Sequence, residues 1–253
     1  MHDDAYRKQL ADLVEAMSRP NRESAVTLLT DDSAPAAVKM FVDGNLDKRL
    51  DKLAAQLEFV RDAFEDFDDL LKQYIRNTPL EALDTSQTDG ERMLRWLTAS
   101  GSLTLVQQDY ITVQRTRHAI ERLALEHRQR HVAFQLLRRE DEDADDLLLP
   151  ETVVHLNPIR AWARLQTQAL LDQENEGCEL PCDTMFFADG GDIISVQLEL
   201  EGQVLLNDLA DNQPCSIGDW AELSRVSEVD TLIELAQDLV ELGLIAVENA
   251  KAD

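Results

Sequence analysis

Two histidines four residues apart, His127 and His131, come closest in this chain to a metal-ligand pair. On a helix that spacing puts both imidazoles on one face, within reach of a single ion. No carboxylate stands at a matching third position and Arg128 and Arg130 flank the pair, so it reads as two surface or half-buried histidines. Cys178, Cys182 and Cys215 supply thiols, but Cys178-x3-Cys182 is not a common zinc spacing and no histidine lies near it. An odd count of three, with no dense framework, fits a reducing compartment. Glu65, Asp66, Asp68 and Asp69 crowd together, yet paired-acid catalysis needs one carboxyl in an apolar pocket that separates its pKa from its partner's. These acids have the pattern of a solvated helix face. No nucleophile elbow, phosphate loop, dinucleotide fingerprint or zinc-protease helix is present, and Gly190-Gly191 marks a turn. The expectation is no catalytic residue, no metal site and no cofactor in this chain.

Binding chemistry is better represented. In Ile193–Leu200 the residues Ile194, Val196, Leu198 and Leu200 alternate with Ser195, Gln197 and Glu199, the period of a strand. Such a strand, if it lies at a sheet edge, can accept an added peptide strand through its main chain. The expected contact residues there are Ile193, Ser195, Gln197 and Glu199. Apolar pockets for alternate side chains would come from Leu232, Leu235, Ala236 and Leu239 on a neighbouring helix. Asp230, Glu234, Asp238 and Glu241 share that helix and would favour a basic peptide. A second surface is arginine-rich: Arg115, Arg117, Arg122 and Arg128 precede Arg130, Arg138 and Arg139, offset only by Glu121 and Glu126. These arginines either neutralise the acidic Asp62–Asp69 segment or the following linker, or form a docking face for a partner enzyme, because arginine is enriched at interface cores. The docking face is the reading carried forward.

The elements that must position these residues change character along the chain. Apolar residues at spacings of three and four predict helices over Tyr6–Met17, Ala34–Phe41, Leu46–Ile75, Gly90–Leu97 and Leu103–Leu137. A break is expected around Leu57–Phe59, since an unbroken 30-residue helix is unusual in a compact domain. Residues 1–139 thus read as a helical bundle, and 140–151, opening on the acidic run Glu140–Asp146, as a linker. Residues 152–253 read as a winged-helix-like domain. Its expected parts are a short strand Thr152–Leu156 and a helix from the Asn157-Pro158 turn through Leu171. A hairpin of Thr184–Phe187 and Ile193–Leu200 follows, with helices Val204–Ala210, Ile217–Leu223 and Val229–Leu242 and a last strand Leu244–Val247. The fold class is mainly α with a small β component.

Charge is distributed unevenly over these parts. Residues 1–139 hold 20 Lys/Arg against 23 Asp/Glu, whereas 140–253 hold 4 against 27, giving −3 and −23 of the total −26. A winged helix suggests a DNA-binding transcriptional regulator as the alternative reading, but DNA affinity comes largely from counterions released by basic side chains. No Lys or Arg lies between Arg164 and Arg225, so nucleic acid is an unlikely partner on charge alone. Met1-His2-Asp3-Asp4 lacks the basic start of a signal peptide. No stretch approaches the roughly 18 apolar residues of a membrane span, and the expected location is cytoplasmic, with no membrane partner.

Several stretches together resemble the HvfC/BufC-type family, once taken for DNA-binding proteins. They are Phe41-Val42-Asp43-Gly44-Asn45-Leu46, Tyr74-Ile75-Arg76-Asn77-Thr78-Pro79, Gly90 to Trp96-Leu97 and Leu105 to Arg117. His155-Leu156-Asn157-Pro158 and the run Phe187–Ala210 complete the set. The family's usual Tyr-Arg-Asn-Asn stretch stands here only as Phe41-Val42-Asp43-Gly44-Asn45. The resemblance implies a helical domain followed by a winged-helix-like one, in a non-catalytic partner of a TIM-barrel, multinuclear non-haem iron oxidase. Iron would reside in that enzyme. The chain would recruit the leader of a ribosomally made precursor peptide whose cysteines are modified, as in methanobactin or bufferin maturation.

Overall fold

A computed structural model describes residues 34–78, 87–142, 148–171 and 179–248. Among them the chain is mainly helical, with two small three-stranded antiparallel sheets. It divides into two compact units, Met1–Gln114 and Arg115–Asp253. No helix among the described residues is long and apolar enough to cross a membrane. The helix expected over Tyr6–Met17 lies outside the described residues.

The first unit contains helices α1 (Ala34–Gln56), α2 (Glu58–Arg61), α3 (Phe67–Asn77) and α4 (Asp89–Ser100), with the start of α5 (Leu105–Glu126). The break expected near Leu57 is present: Leu57 adopts φ −118°, ψ 20°, while Leu57 N–H still bonds the carbonyl of Leu53 at 3.0 Å. The chain then turns through Ala63 and Phe64, whose amides reach back only three residues. That tightening swings Phe64 and Phe67 into one core with Leu53, Leu57, Leu71, Met93 and Leu97. In contrast, Ala34–Phe41 and Leu46–Gln56 do not separate; they form the single helix α1. Helix α4 starts on a capping box. Thr88 Oγ1 accepts from Glu91 N–H at 3.1 Å and the Glu91 carboxylate accepts from Thr88 N–H at 2.8 Å, which satisfies two donors that the first turn would otherwise leave open.

The second unit begins inside α5 and continues with α6 (Arg128–Glu142), so the expected helix Leu103–Leu137 is two helices parted at His127. The domain division therefore falls within α5, and not at the acidic run. The linker expected over 140–151 begins as the last turn of α6, and Leu148 at its far end is buried in the core of the second unit. Residues 143–147 lie outside the described residues.

Strands β1 (Val153–Leu156), β5 (Cys215–Ser216) and β6 (Ile245–Glu248) form one sheet in the order β5-β1-β6. Strands β2 (Arg160–Leu165), β3 (Cys182–Asp189) and β4 (Asp192–Gln197) form the other in the order β2-β3-β4. The helix expected from Asn157 through Leu171 is instead β2. Its Ala163 and Leu165 are buried while Trp162 and Arg164 are exposed, and that alternation matches a pleated surface laid against β3. The hairpin of β3 and β4 turns at Gly190-Gly191, both with positive φ (57° and 109°), as a two-residue hairpin loop requires. The second strand ends at Gln197; Leu200 opens α7 (Leu200–Asn212), which starts earlier than the expected Val204.

Helices α8 (Ile217–Leu223) and α9 (Val229–Glu241) complete the unit. Trp220 of α8, with no exposed surface, donates its indole N–H to the carbonyl of Leu205 at 2.9 Å, tying α8 to α7. Asn157, also fully buried, joins the two sheets. Its Oδ1 accepts from Ile159 N–H at 2.9 Å, its Nδ2 donates to Ala188 O at 2.8 Å, and its own N–H reaches Leu244 O at 2.9 Å. The Asx turn so formed sends the chain from β1 into β2.

Candidate functional site

The residues expected to meet a peptide fall into two environments. Strand β4 pairs only with β3 and lies at the margin of its sheet, so among the described residues its outer side has no partner strand. None of its residues is fully buried, whereas the central four residues of β3 all are. Ile193 is half-buried and Ser195 exposed. Gln197 is half-buried, with its amide 3.6 Å from Cys182 Sγ. Glu199 is exposed and sits at the N-cap of α7 without a side-chain capping bond. Ile194, Val196 and Leu198 pack against the core from the same segment. The strand is therefore anchored on one face, and its outer edge has no partner strand among the described residues, an arrangement that suits strand addition.

Helix α9 is different. Leu232, Ala236 and Leu239 are at most 1 % exposed and belong to one core with Trp220, Ile217 and Val247. Leu235 packs against that core half-buried. These side chains cannot serve as open pockets, because the space they face is already filled by the unit's own residues. What α9 does present to solvent is acid: Asp230, Glu234, Asp238 and Glu241 are all exposed.

The arginines expected at a partner interface belong to the second unit. Arg115 and Arg122 lie seven residues apart on α5 and Arg128 opens α6, all three exposed, while Arg117 is half-buried. Arg138, further along α6, is committed elsewhere: its guanidinium pairs with Asp189 at the end of β3, both side chains mostly covered.

The remaining chemistry-bearing residues do not converge. No group of three His, Cys, Asp or Glu able to hold a metal occurs among the described residues. Glu65, Asp66, Asp68 and Asp69 are exposed, with Asp68 paired to Arg61 at 3.2 Å and Asp69 to Lys72 at 3.1 Å. Cys182 and Cys215 form no disulfide and lie in different sheets. Burial and the nearby Asp219 push the Cys215 thiol up, away from the reactive thiolate. Cys178 lies outside the described residues.

One cluster has no local sequence signal. Arg49 on α1, Tyr74 on α3 and Asp89 at the start of α4 close on one another. Tyr74 has no exposed surface and Arg49 is 8 % exposed. The cluster joins three helices.

No protein-family model matches the chain, and neither a curated protein nor a solved structure does.

Proposed function

We propose that this chain is a non-catalytic, peptide-recruiting partner subunit, and that the enzyme it serves is the iron oxidase implied by its resemblance to HvfC/BufC-type proteins. The observation that carries the reading is the open edge of β4 on a strongly acidic unit. An incoming leader would pair its main chain with β4, and its basic side chains would meet Glu199 and the acids of α9. Specificity would come from charge and from the half-buried Ile193 and Gln197, since the apolar face of α9 is occupied. The exposed Arg115, Arg122 and Arg128 are the proposed contact with the enzyme.

The order α7, β5, α8, α9, β6, with β1 in the middle of its sheet, supports the winged-helix reading. In a DNA-binding winged helix α9 would enter the major groove. Its solvent face carries four acids and no Lys or Arg, which weighs toward peptide and against nucleic acid.

The test is a pull-down of the tagged full chain from its native extract, with mass spectrometry and iron analysis of what co-elutes, followed by direct titration of the recovered peptide. Retention of an iron protein together with a basic peptide that binds the chain alone supports the proposal. A Ser195→Lys/Glu199→Lys double variant should fold normally and bind that peptide less tightly. Failure of chain and complex alike to bind any peptide overturns it.

A further inference from the structure

A cleft of about 640 Å³ in the second unit gathers two arginines and two histidines. His127 and Arg130 reach it from the α5–α6 junction and α6, His155 from β1 and Arg160 from β2. Phe134 and Leu137 of α6 supply an apolar wall. No carboxylate lines the cleft among the described residues. That is against expectation in a unit whose 11 Lys/Arg face 29 Asp/Glu, a net of −18.

Arg160 makes the case specific. It is half-buried, and its side chain's one polar contact among the described residues is a bond from Nη1 to the carbonyl of Asn157 at 2.6 Å. Burial alone pulls at its charged form, with no carboxylate to offset it. A guanidinium stays protonated at neutral pH, so an anion in the cleft would offset part of that desolvation. Arg130 likewise has no ion pair among the described residues and is exposed at the cleft. His155 has an acceptor within reach, Glu248 at 3.2 Å, but that carboxylate is 60 % exposed. Two guanidiniums and two imidazoles on one concavity can hold a carboxylate or phosphate by charge-assisted hydrogen bonds. The volume falls in the range of small-molecule sites, which combine an apolar wall with a few polar groups.

We propose that this cleft binds an organic anion, one carboxylate or phosphate group on an apolar body, with Arg160 and Arg130 on the head group and Phe134 and Leu137 against the body. The site is separate from the β4 edge and does not depend on the peptide-recruiting role.

The experiment titrates the full chain with phenyl phosphate, benzoate and neutral phenol, following the Arg160 Nε–H and the imidazole resonances of His127 and His155 by NMR. Saturable binding of either anion at millimolar or lower concentration, with none of phenol, is expected; which anion binds identifies the head group. Loss of one charge-assisted contact in Arg130→Gln, an exposed position, should weaken binding about tenfold. Arg160→Gln, with its melting curve recorded, should weaken it at least as much. Absence of saturation by both anions, equal binding of phenol, or unchanged affinity in Arg130→Gln and a folded Arg160→Gln overturns the proposal.

Discussion

Arg49 grips both carboxylate oxygens of Asp89, 40 residues away in sequence, with Nε at 2.6 Å and Nη2 at 2.9 Å. A third bond runs from Nη1 to the carbonyl of Thr78 at 2.9 Å, and the guanidinium lies 5.5 Å from the centre of the Tyr74 ring. The pair is mostly covered, at 8 % and 18 % side-chain exposure. Removing one member leaves the other charged, desolvated and alone, which costs more than the pair contributes. Asp89→Ala or Arg49→Met should each destabilise the first unit by about 3 kcal/mol. In a denaturation cycle the double variant should lose less than the sum; strict additivity would mean that the two side chains act independently.

The same cluster gives the first unit an alkaline limit. Burial, the hydrogen bond to Asp89 and the Asp89 charge together hold the Tyr74 hydroxyl well above its ordinary 10.0. A group whose folded pKa is raised contributes its stability in full below the unfolded value and loses it as pH climbs past that value. Asp89 works in the opposite sense. Burial would raise its carboxyl, but bonds from Arg49 and Tyr74 and the Arg49 charge outweigh that and hold it below the usual range. Its contribution is present above ordinary carboxylate pH and fades as pH falls through the lowered value. Urea midpoints of the wild type should therefore decline above pH 10. Tyr74→Phe should cost about 1 kcal/mol at neutral pH, for the lost bond to Asp89, and flatten that decline. An unchanged alkaline limb in the variant would assign it to another group.

Gly243 is fixed by its neighbour as much as by its backbone. It has φ +80°, and a Cβ there would stand 2.6 Å from Arg138 Nη1. Gly243→Ala should cost about 1 kcal/mol for the left-handed backbone, and about as much again for displacing the guanidinium from Asp189. On an Arg138→Ala background only the backbone part should remain. Equal losses on both backgrounds would show that the guanidinium moves aside freely.

Much of this architecture is legible in the sequence where a pattern is local and long. The helical spacing from Leu46 to Ile75, the break near Leu57 and the hairpin at Gly190-Gly191 each follow from a few adjacent residues. Arg160–Leu165 misleads because its alternation lasts only six residues and its Ala, Arg and Leu are good helix formers; pairing with β3 decides the outcome, as it often does for strands. In α9 the apolar period marks a buried face, but not that Trp220 and Ile217 already cover it. The Thr88-x-x-Glu91 capping signature is a local signal too, and it places the start of α4 within a residue of the expected Gly90. The Arg49–Asp89 pair and the cationic cleft are assembled from distant segments, and no local spacing announces either.

Asn157 tests how far one polar side chain holds the second unit together. All three of its side-chain partners are main-chain groups: Ile159 N–H, Ala188 O and, at 3.4 Å, Gly243 O. Asn157→Ala strips these of their partner in a site with no exposed surface, which should cost about 3 kcal/mol. Asn157→Asp keeps the acceptor for Ile159 but turns a donor toward Ala188 O into a buried charge, so it should be at least as damaging. Thermal melts of the full chain measure both. A loss under about 1 kcal/mol for the alanine variant would mean that water replaces the amide without strain.

The acid on α9 separates two kinds of partner by the sign of their charge. A duplex brought to Asp230, Glu234, Asp238 and Glu241, all exposed, meets repulsion and has no basic side chain with which to exchange counterions. Gel-shift titrations with generic duplex DNA at physiological salt should therefore show no complex. A Lys/Arg-rich peptide should bind instead, with affinity that weakens as salt screens the field. Replacing Glu234 and Asp238 by Gln leaves the buried Leu232, Ala236 and Leu239 face untouched, so the fold should persist while peptide affinity drops. Tight, salt-sensitive DNA binding by the wild type would reverse the assignment and return α9 to a groove-reading role.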